Sequence, residues 1–276
     1  MTSKKSSRAV ATMAEESLSK PDAIKDPQFA YTLAKGLAVL RTFDAGSMEL
    51  GNREIAERIG IGRQTVVRLT RTLALLGYLK YNAGSARYRL AATVLSLGYP
   101  LLSQLSVRQL MRPHMQELAD FARGAVSLGM RGDPHMILIE TCVDRLAPSG
   151  RPDVGATRGF DDTSMGRAYY SATSDVERAE IDVLLQSRPD VDWLTLQPSL
   201  AHSRQQFADK GYCTLVSSGA GIEAIAVPLL GLSGDELLVV NCAVARFQLE
   251  PDTLDKQIAP RLFHLVGLVL AASGRR

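Results

Sequence analysis

The chain has 276 residues, enough for about two modest domains, and its 46% apolar content can build a core in each. No segment approaches the roughly 20 uninterrupted apolar residues that span a bilayer, so a membrane protein is not expected. The net charge of +3 is divided unevenly: residues 29–90 carry ten Lys or Arg against four Asp or Glu, whereas residues 91–276 carry 17 against 21. A basic segment joined to a mildly acidic remainder is the charge pattern of a nucleic-acid module attached to something else.

Residues 1–28 have early lysines followed only by the short apolar patch Ala9 to Ala14. They lack the apolar run of a secretory signal and read as a disordered leader. Cys142, Cys213 and Cys242 are odd in number, far apart and set in apolar runs. Buried, reduced thiols of a cytoplasmic protein are expected, without a disulfide framework or a zinc site.

In YTLAKGLAVLRTF, Leu33, Leu37, Leu40 and Phe43 predict a helix that closes a small core. The following stretch, REIAERIGIGRQTVVRLTRTL, puts five arginines on residues 53–73 around Gly60-Ile61-Gly62. Ile55, Ala56 and Ile59 mark one face of a first short helix, and Gly60 tolerates the left-handed backbone that ends it. Val66, Leu69, Leu73 and Leu76 mark the buried face of a second. With Val66 at zero and about 100° per residue, that face centres near about −20°, and Gln64, Arg68 and Arg71 lie between about 140° and 200°. Arg63 and Thr65 sit at the helix start, where free N–H groups favour a phosphate. Two helices joined by a glycine turn, the second polar and basic outward, make a helix-turn-helix. LGYLKYNAGSARYRL then reads as a β-hairpin with Ala83-Gly84-Ser85 at its tip. Arg87 and Arg89 on its return strand are placed against the minor groove or the backbone, which completes a winged helix over residues 29–91.

Ala92 to Leu105 reads as a linker helix bent at Pro100. Ser106-Val107-Arg108-Gln109 fits a capping box, opening a helix whose apolar series Leu110, Met111, Met115, Leu118, Ala119 and Ala122 continues through Pro113. AVSLGMR and HMILIETCV read as strands paired about Gly132-Asp133-Pro134. Further strands are expected at Tyr212 to Ser217, Glu223 to Leu229 and Leu237 to Ala245. Helices are expected at Ser164 to Ala172, Val176 to Leu185, Leu200 to Lys210 and Thr253 to Ala272. Residues 106–276 thus form an α+β domain, an antiparallel sheet with helices on its faces. Ser164, Met165 and Gly166 open a helix after a Gly- and Pro-rich loop, and its N-terminus suits a carboxylate, although Thr163 or Ser164 acting simply as a cap explains the same residues. Trp193 either packs over such a pocket or anchors its loop.

Several patterns do not support other chemistry. Gly219-Ala220-Gly221-Ile222-Glu223-Ala224 fits a dinucleotide fingerprint but is followed by IAVPLL, a strand pattern, where a helix is required. His114, His135, His202 and His264 have no metal-ligand spacing. There is no G-x-S-x-G elbow and no carboxylate pair, so neither an enzyme nor a cofactor is expected.

The segments IAERIGIGRQTVVRLTRTLALLGYL, RYRLAATVLSLGYPLLSQL and RQLMRPHMQELADFA resemble the IclR-type transcriptional regulators, and the resemblance runs from about residue 29 to the end. It implies a dimer or dimer of dimers with a GAF-like effector domain that binds a small carbon metabolite. TSMGR resembles the branch responsive to protocatechuate and 4-hydroxybenzoate. Where glyoxylate- and pyruvate-binding members carry acids, a Cys and two Ser, the matching positions here are Leu215-Val216, Ala224, and Asn241 with Ala243. Loss of those polar partners favours a larger effector, an aromatic or otherwise apolar organic acid.

The expected function is therefore a sequence-specific regulator of double-stranded operator DNA. Gln64, Thr65, Arg68 and Arg71 face the major groove, and Arg63, Arg87 and Arg89 contact phosphate or minor groove. Ser164, Met165, Gly166, Ala224, Asn241 and Ala243 are the effector-binding residues. Dimerisation follows because one helix reads too few bases. The competing reading is a small-molecule sensor that acts through protein partners without touching DNA.

Overall fold

The computed structural model describes residues 27–145, 153–217, 221–230 and 236–272. The expected leader lies almost wholly outside them, as does the start of the Gly- and Pro-rich loop. The chain separates after Gln104 into two units. Among the described residues no helix is long and apolar enough to cross a membrane.

In the first unit, α1 (Tyr31–Arg41), α2 (Asn52–Ile59) and α3 (Arg63–Leu75) precede a hairpin of β1 (Leu79–Asn82) and β2 (Arg87–Leu90), and α4 (Thr93–Gln104) follows. Gly60 ends α2 at φ 64°, in the left-handed region that glycine enters without steric cost. Ile55, Ile59, Val66, Leu69, Leu79 and Tyr88 share one core with Ala38, Val39 and Leu50. Fully buried Thr70 donates to Asn52 Oδ1 at 2.9 Å and so fixes α3 against α2. Leu50 and Tyr88 exchange both backbone hydrogen bonds, at 2.9 and 2.8 Å, which adds a third edge to the hairpin.

Two core expectations need correction here. Leu33 and Leu37 are exposed while Ala38 and Val39 are buried. The face of α1 that joins the core carries Ala38 and Val39, with Ala34 and Leu40 packed against it, and Leu33 and Leu37 fall outside that face. Leu76 is exposed because α3 ends at Leu75, so Leu76 already occupies the C-terminal cap.

In the second unit α5 (Ser106–Ala122) begins one residue after α4 ends, and Pro113 stays inside it. The expected capping box is not formed. Leu105 occupies the cap position and no side chain caps the helix, because α4 continues to Gln104 and the break falls at Leu105. Strands β3 (Ala125–Gly132), β4 (His135–Val143), β5 (Thr157–Arg158), β6 (Cys213–Val216), β7 (Ile222–Leu229) and β8 (Leu238–Ala245) form a six-stranded antiparallel sheet in the order β5-β4-β3-β8-β7-β6. Between them lie α6 (Ser164–Ala172), α7 (Asp175–Gln186) and α8 (Trp193–Lys210), and α9 (Ala259–Ala272) closes the unit after a π-helical turn at Leu254–Ile258. Helix α8 begins at Trp193 and not at Leu200, because Asp192 caps it by accepting from the Leu194 N–H at 3.2 Å. Trp193 is therefore a half-buried first-turn residue packed against the core of Met165, Tyr169 and Leu200.

Strand alternation gives the sheet two faces. Val126, Cys142, Cys242 and Ile225 share a row on one face, where Cys142 Sγ reaches the Arg112 carbonyl of α5 at 3.5 Å. On the other face Met165 of α6 lies against Gly129, where an added Cβ would meet its sulfur at 2.4 Å. On the same face Ser171 Oγ lies 3.6 Å from Cys213 Sγ. This is a GAF-like arrangement, a single antiparallel sheet with helices on both sides.

Candidate DNA-reading face and effector floor

The five arginines around Gly60 divide into two groups. Arg53 pairs with Glu57 at 2.7 Å, and Arg58 is spent on the Thr42 carbonyl and Ser47 Oγ at 2.8 and 2.7 Å. Arg63, Arg68 and Arg71 on α3 are exposed, and no ion pair engages them among the described residues. Gln64 and Thr65 are exposed beside them, on the side opposite buried Val66 and Leu69. Gly62 precedes α3 and offers no side-chain cap, so the first N–H groups and the positive end of the helix are open to an anion.

The hairpin treats its two arginines differently. Arg89 is exposed and lies directly across from Lys80. Arg87 turns back into the unit instead, donating to the Glu49 carbonyl at 2.9 Å and to Glu54 Oε1 at 3.1 Å. Glu54 also accepts from the Gly51 N–H at 2.8 Å, and that bond, with Arg87, holds its carboxyl below the usual range. Arg87, expected against the minor groove or backbone, is thus also engaged within the unit, where its guanidinium braces the wing against α2. Met48, Glu49, Lys80, Tyr81 and Arg89 line an open groove of about 620 Å³ on this side of the hairpin.

In the second unit Thr163 caps α6, accepting from the Gly166 N–H at 3.1 Å. Met165 is 1% exposed and serves the core. Gly166 allows close approach, since an added Cβ would stand 2.1 Å from the Gly159 carbonyl oxygen. The residues after the cap thus divide by role, and Ser164 keeps an unspent polar atom: its Oγ is buried and has no partner. Capping and an available polar group coexist, at adjacent residues.

The sheet face under α6 is organised in rows. Thr141, Ser127, Asn241, Ala226 and Cys213 stand side by side across β4, β3, β8, β7 and β6. The next row is Val143, Ala125, Ala243, Ala224 and Leu215, and all five of its members are half-buried. Farther along in the other direction Gly129 and Val239 are fully covered. Helix α6 therefore roofs one end of this face and leaves a shallow floor at the other. Three adjacent alanines make that floor flat, and the Ser127 row makes one edge polar.

Ala224, Asn241 and Ala243 are brought together on this floor. Ser127 and Thr141, which the sequence reading did not select, lie in line with Asn241, and Thr141 Oγ1 donates to Ser127 Oγ at 3.1 Å. The available signal was a hydroxyl residue inside each of two otherwise apolar strands, AVSLGMR and HMILIETCV. The glycine pattern at residues 219–224 runs into strand β7, so no dinucleotide-binding helix follows it. All three cysteines are buried and unpaired, and burial pushes Cys213 up to about 11 and Cys242 up to about 12.

Residues 32–83 match the family model for the IclR helix-turn-helix domain, and residues 100–262 match that for the C-terminal domain of bacterial IclR transcriptional regulators. The crystal structure of an IclR family transcriptional regulator from Brucella abortus is similar, with 35% identity, a TM-score of 0.80, and 92% of this chain and 96% of that one covered. The Pca regulon regulatory protein of Pseudomonas putida is 28% identical over 86% of this chain and 82% of its own. The p-hydroxybenzoate hydroxylase transcriptional activator of Acinetobacter baylyi is 24% identical over 87% of this chain and 90% of its own.

Proposed function

This chain belongs to the IclR family of bacterial transcriptional regulators, DNA-binding proteins with an effector-binding C-terminal domain and no enzymatic role, and we propose how its own residues carry out that function. Gln64, Thr65, Arg68 and Arg71 read base edges in the major groove of a cytoplasmic operator. Arg63 and the start of α3 hold a phosphate, and Arg89 with Lys80 follows the adjacent backbone or minor groove. Arg87 positions the wing and does not contact DNA. The observation that carries this reading is the division of arginines: those turned inward or paired on α2 are neutralised, and those on α3 are exposed without ion pairs.

The floor beside α6 takes the effector, an organic acid with an apolar, aromatic body. The flat alanine row supports a ring, and the start of α6, with the Ser164 hydroxyl, supports a carboxylate. The name of the Acinetobacter relative is consistent with this ligand class.

The DNA head works as a pair. No residue of α4 is buried, and Leu95, Leu97, Tyr99 and Leu101 stand exposed along it, as do Leu33 and Leu37 on α1. A second copy of the chain covers these apolar faces and sets two recognition helices on adjacent half-sites. Whether the dimer represses or activates depends on where its operator lies relative to the promoter.

Footprinting on the protein's own promoter, with and without candidate acids, tests the reading. Protection by the wild type that is lost in Arg68→Glu/Arg71→Glu, with acid binding intact, is expected. Protection that persists in the double variant overturns the assigned reading face. Acid binding by a wild type that protects no DNA at any salt concentration would favour a sensor that works through protein partners.

A further inference from the structure

Resting on the reading that two DNA heads bind adjacent half-sites together, we infer that Glu140, which lies in the other unit, is a positioning residue for operator recognition. From Thr93 through α4 to Leu110 no residue is buried, so this stretch is not fixed by a core of its own. Helix α5 follows α4 across the single residue Leu105 and starts without a side-chain cap. Its first buried residue is Met111. Before that point the helix is tied down at Arg108, whose guanidinium donates to Glu140 Oε2 at 3.0 Å. One turn on, Arg112 donates to Oε1 of the same carboxylate at 2.5 Å, and after another turn Gln116 donates to the Val143 carbonyl at 3.0 Å. Residues four apart share a helix face, so one stripe of α5 grips one strand.

The strand is shaped to offer that carboxylate. Leu138 pairs with Gly129 and Glu140 with Leu128, which leaves Ile139 as an extra residue in β4. Leu138 packs in the core with Met165 of α6, and strict alternation would carry Glu140 to the same face. The bulge turns it to the α5 face instead, where the Thr141 N–H also donates to its Oε1 at 3.2 Å. A buried ion pair adds little net stability over apolar packing, because both charges lose water. What it adds is direction, since a carboxylate held by two guanidiniums fixes the two helical turns that carry them. Helix α5 is thereby set at its root beside Leu105, where linker helix α4 ends. A pair of heads gains affinity from its second half-site only if both arrive in register, because slack at the root lowers the effective concentration of the second head.

Anisotropy titration of the full-length protein with its footprinted operator, and with the same DNA carrying one scrambled half-site, tests this. Glu140→Gln keeps the size of the side chain but turns an amide N–H toward one of the arginines. Its affinity for the full operator is expected to fall about tenfold while that for the single half-site holds. Extra base pairs inserted between the half-sites should weaken the wild type more than this variant, a signature that lost stability alone does not produce. Arg112→Ala, which keeps the Arg108 pair, should lose about threefold on the full operator, and Arg112→Lys should recover most of that loss. These two carry the test if Glu140→Gln does not fold, which Trp193 fluorescence reports. Full-operator affinity equal to the wild type in Glu140→Gln, or in Arg112→Ala where the former does not fold, overturns the proposal. A loss shared equally by the full and the scrambled DNA overturns it too. A wild type that gains nothing from its second half-site removes the paired heads and this inference with them, and is told apart because no variant is needed to see it.

Discussion

Arg112 on α5 donates to Glu140 on β4 at 2.5 Å, with Arg112 62% exposed and Glu140 5% exposed. The same carboxylate accepts from Arg108 at 3.0 Å, and Arg108 is 20% exposed. The two arginines should therefore contribute unequally. Arg112→Ala removes a partner that water replaces, at a cost of at most about 1 kcal/mol. Arg108→Ala strips the more buried partner from a buried carboxylate and should cost about 3 kcal/mol, at the low end for such a loss because Arg112 remains. Urea unfolding followed by Trp193, the only tryptophan, reports on this unit. Equal costs for the two variants would show that the carboxylate does not depend on its buried side.

Charge on the DNA head should separate by residue. Arg63→Ala is expected to weaken binding to all sequences alike and to lower the salt slope by about 1 per head. Arg68→Ala should cost about 1–3 kcal/mol on the operator and less on unrelated DNA. Arg87→Ala should leave the slope unchanged and lower the melting temperature of the DNA head, since its partners are Glu49 and Glu54. Anisotropy titrations at several salt concentrations distinguish the three. A reduced slope for Arg87→Ala would return that residue to the DNA contacts.

His135 should make the second unit sensitive to acid. Both its ring nitrogens are buried without partners, and burial, then the neighbouring Arg188, holds its pKa below the usual histidine value. The unfolded chain therefore binds a proton at a higher pH than the folded one does. Stability is full above the unfolded value of about 6.5 and declines as pH falls from there toward the depressed folded value. His135→Leu removes the titration and two stranded polar atoms, so its stability curve should be flatter over that window and no lower at pH 8. A wild-type curve that is flat between pH 7 and 5.5 would contradict this.

The thiols should be inert while the chain is folded. Cys213 and Cys242 are buried and raised to about 11 and about 12, and Cys142 is raised chiefly by burial. At pH 8 an aromatic disulfide reagent is expected to label none of them within minutes and all three in urea. Fast labelling of the native protein would reveal an opening of the sheet that its hydrogen bonding does not suggest.

What the sequence made legible follows from the range of each interaction. Gly60, the outward Arg68 and the strand AVSLGMR could be read because helix period, turn chemistry and alternation are local properties. The exposure of Leu33 could not, because a leucine at helical spacing looks the same whether it faces its own core or a bare surface. The deciding fact is which face of α1 meets the core, and that face carries Ala34, Ala38 and Val39. The bracing contacts of Arg87 were not legible because its partners, Glu49 and Glu54, lie more than thirty residues earlier. Ser127 and Thr141 were missed because they become a pair only through strand register, which one strand alone does not specify.

Gly166 shows how a residue chosen from sequence for ligand binding can act through packing. An alanine Cβ at this position would stand 2.1 Å from the Gly159 carbonyl oxygen and 2.4 Å from Phe160 Cα. Both are backbone atoms, so no flexible side chain can move aside. Phe160 is 1% exposed within the core, and the Gly159 carbonyl accepts from Thr163 Oγ1 at 2.7 Å. The cap of α6 and the segment before it must therefore shift together. Gly166→Ala is expected to destabilise the second unit by about 1–3 kcal/mol, the usual range for overpacking, and to weaken effector binding at least about tenfold by displacing the start of α6. Operator binding without effector should remain near the wild-type value, because the helices that read DNA fold in the other unit. Trp193 unfolding, acid titration and operator anisotropy measured on one preparation separate these effects. Normal effector affinity in a destabilised variant would show that the site does not depend on the start of α6.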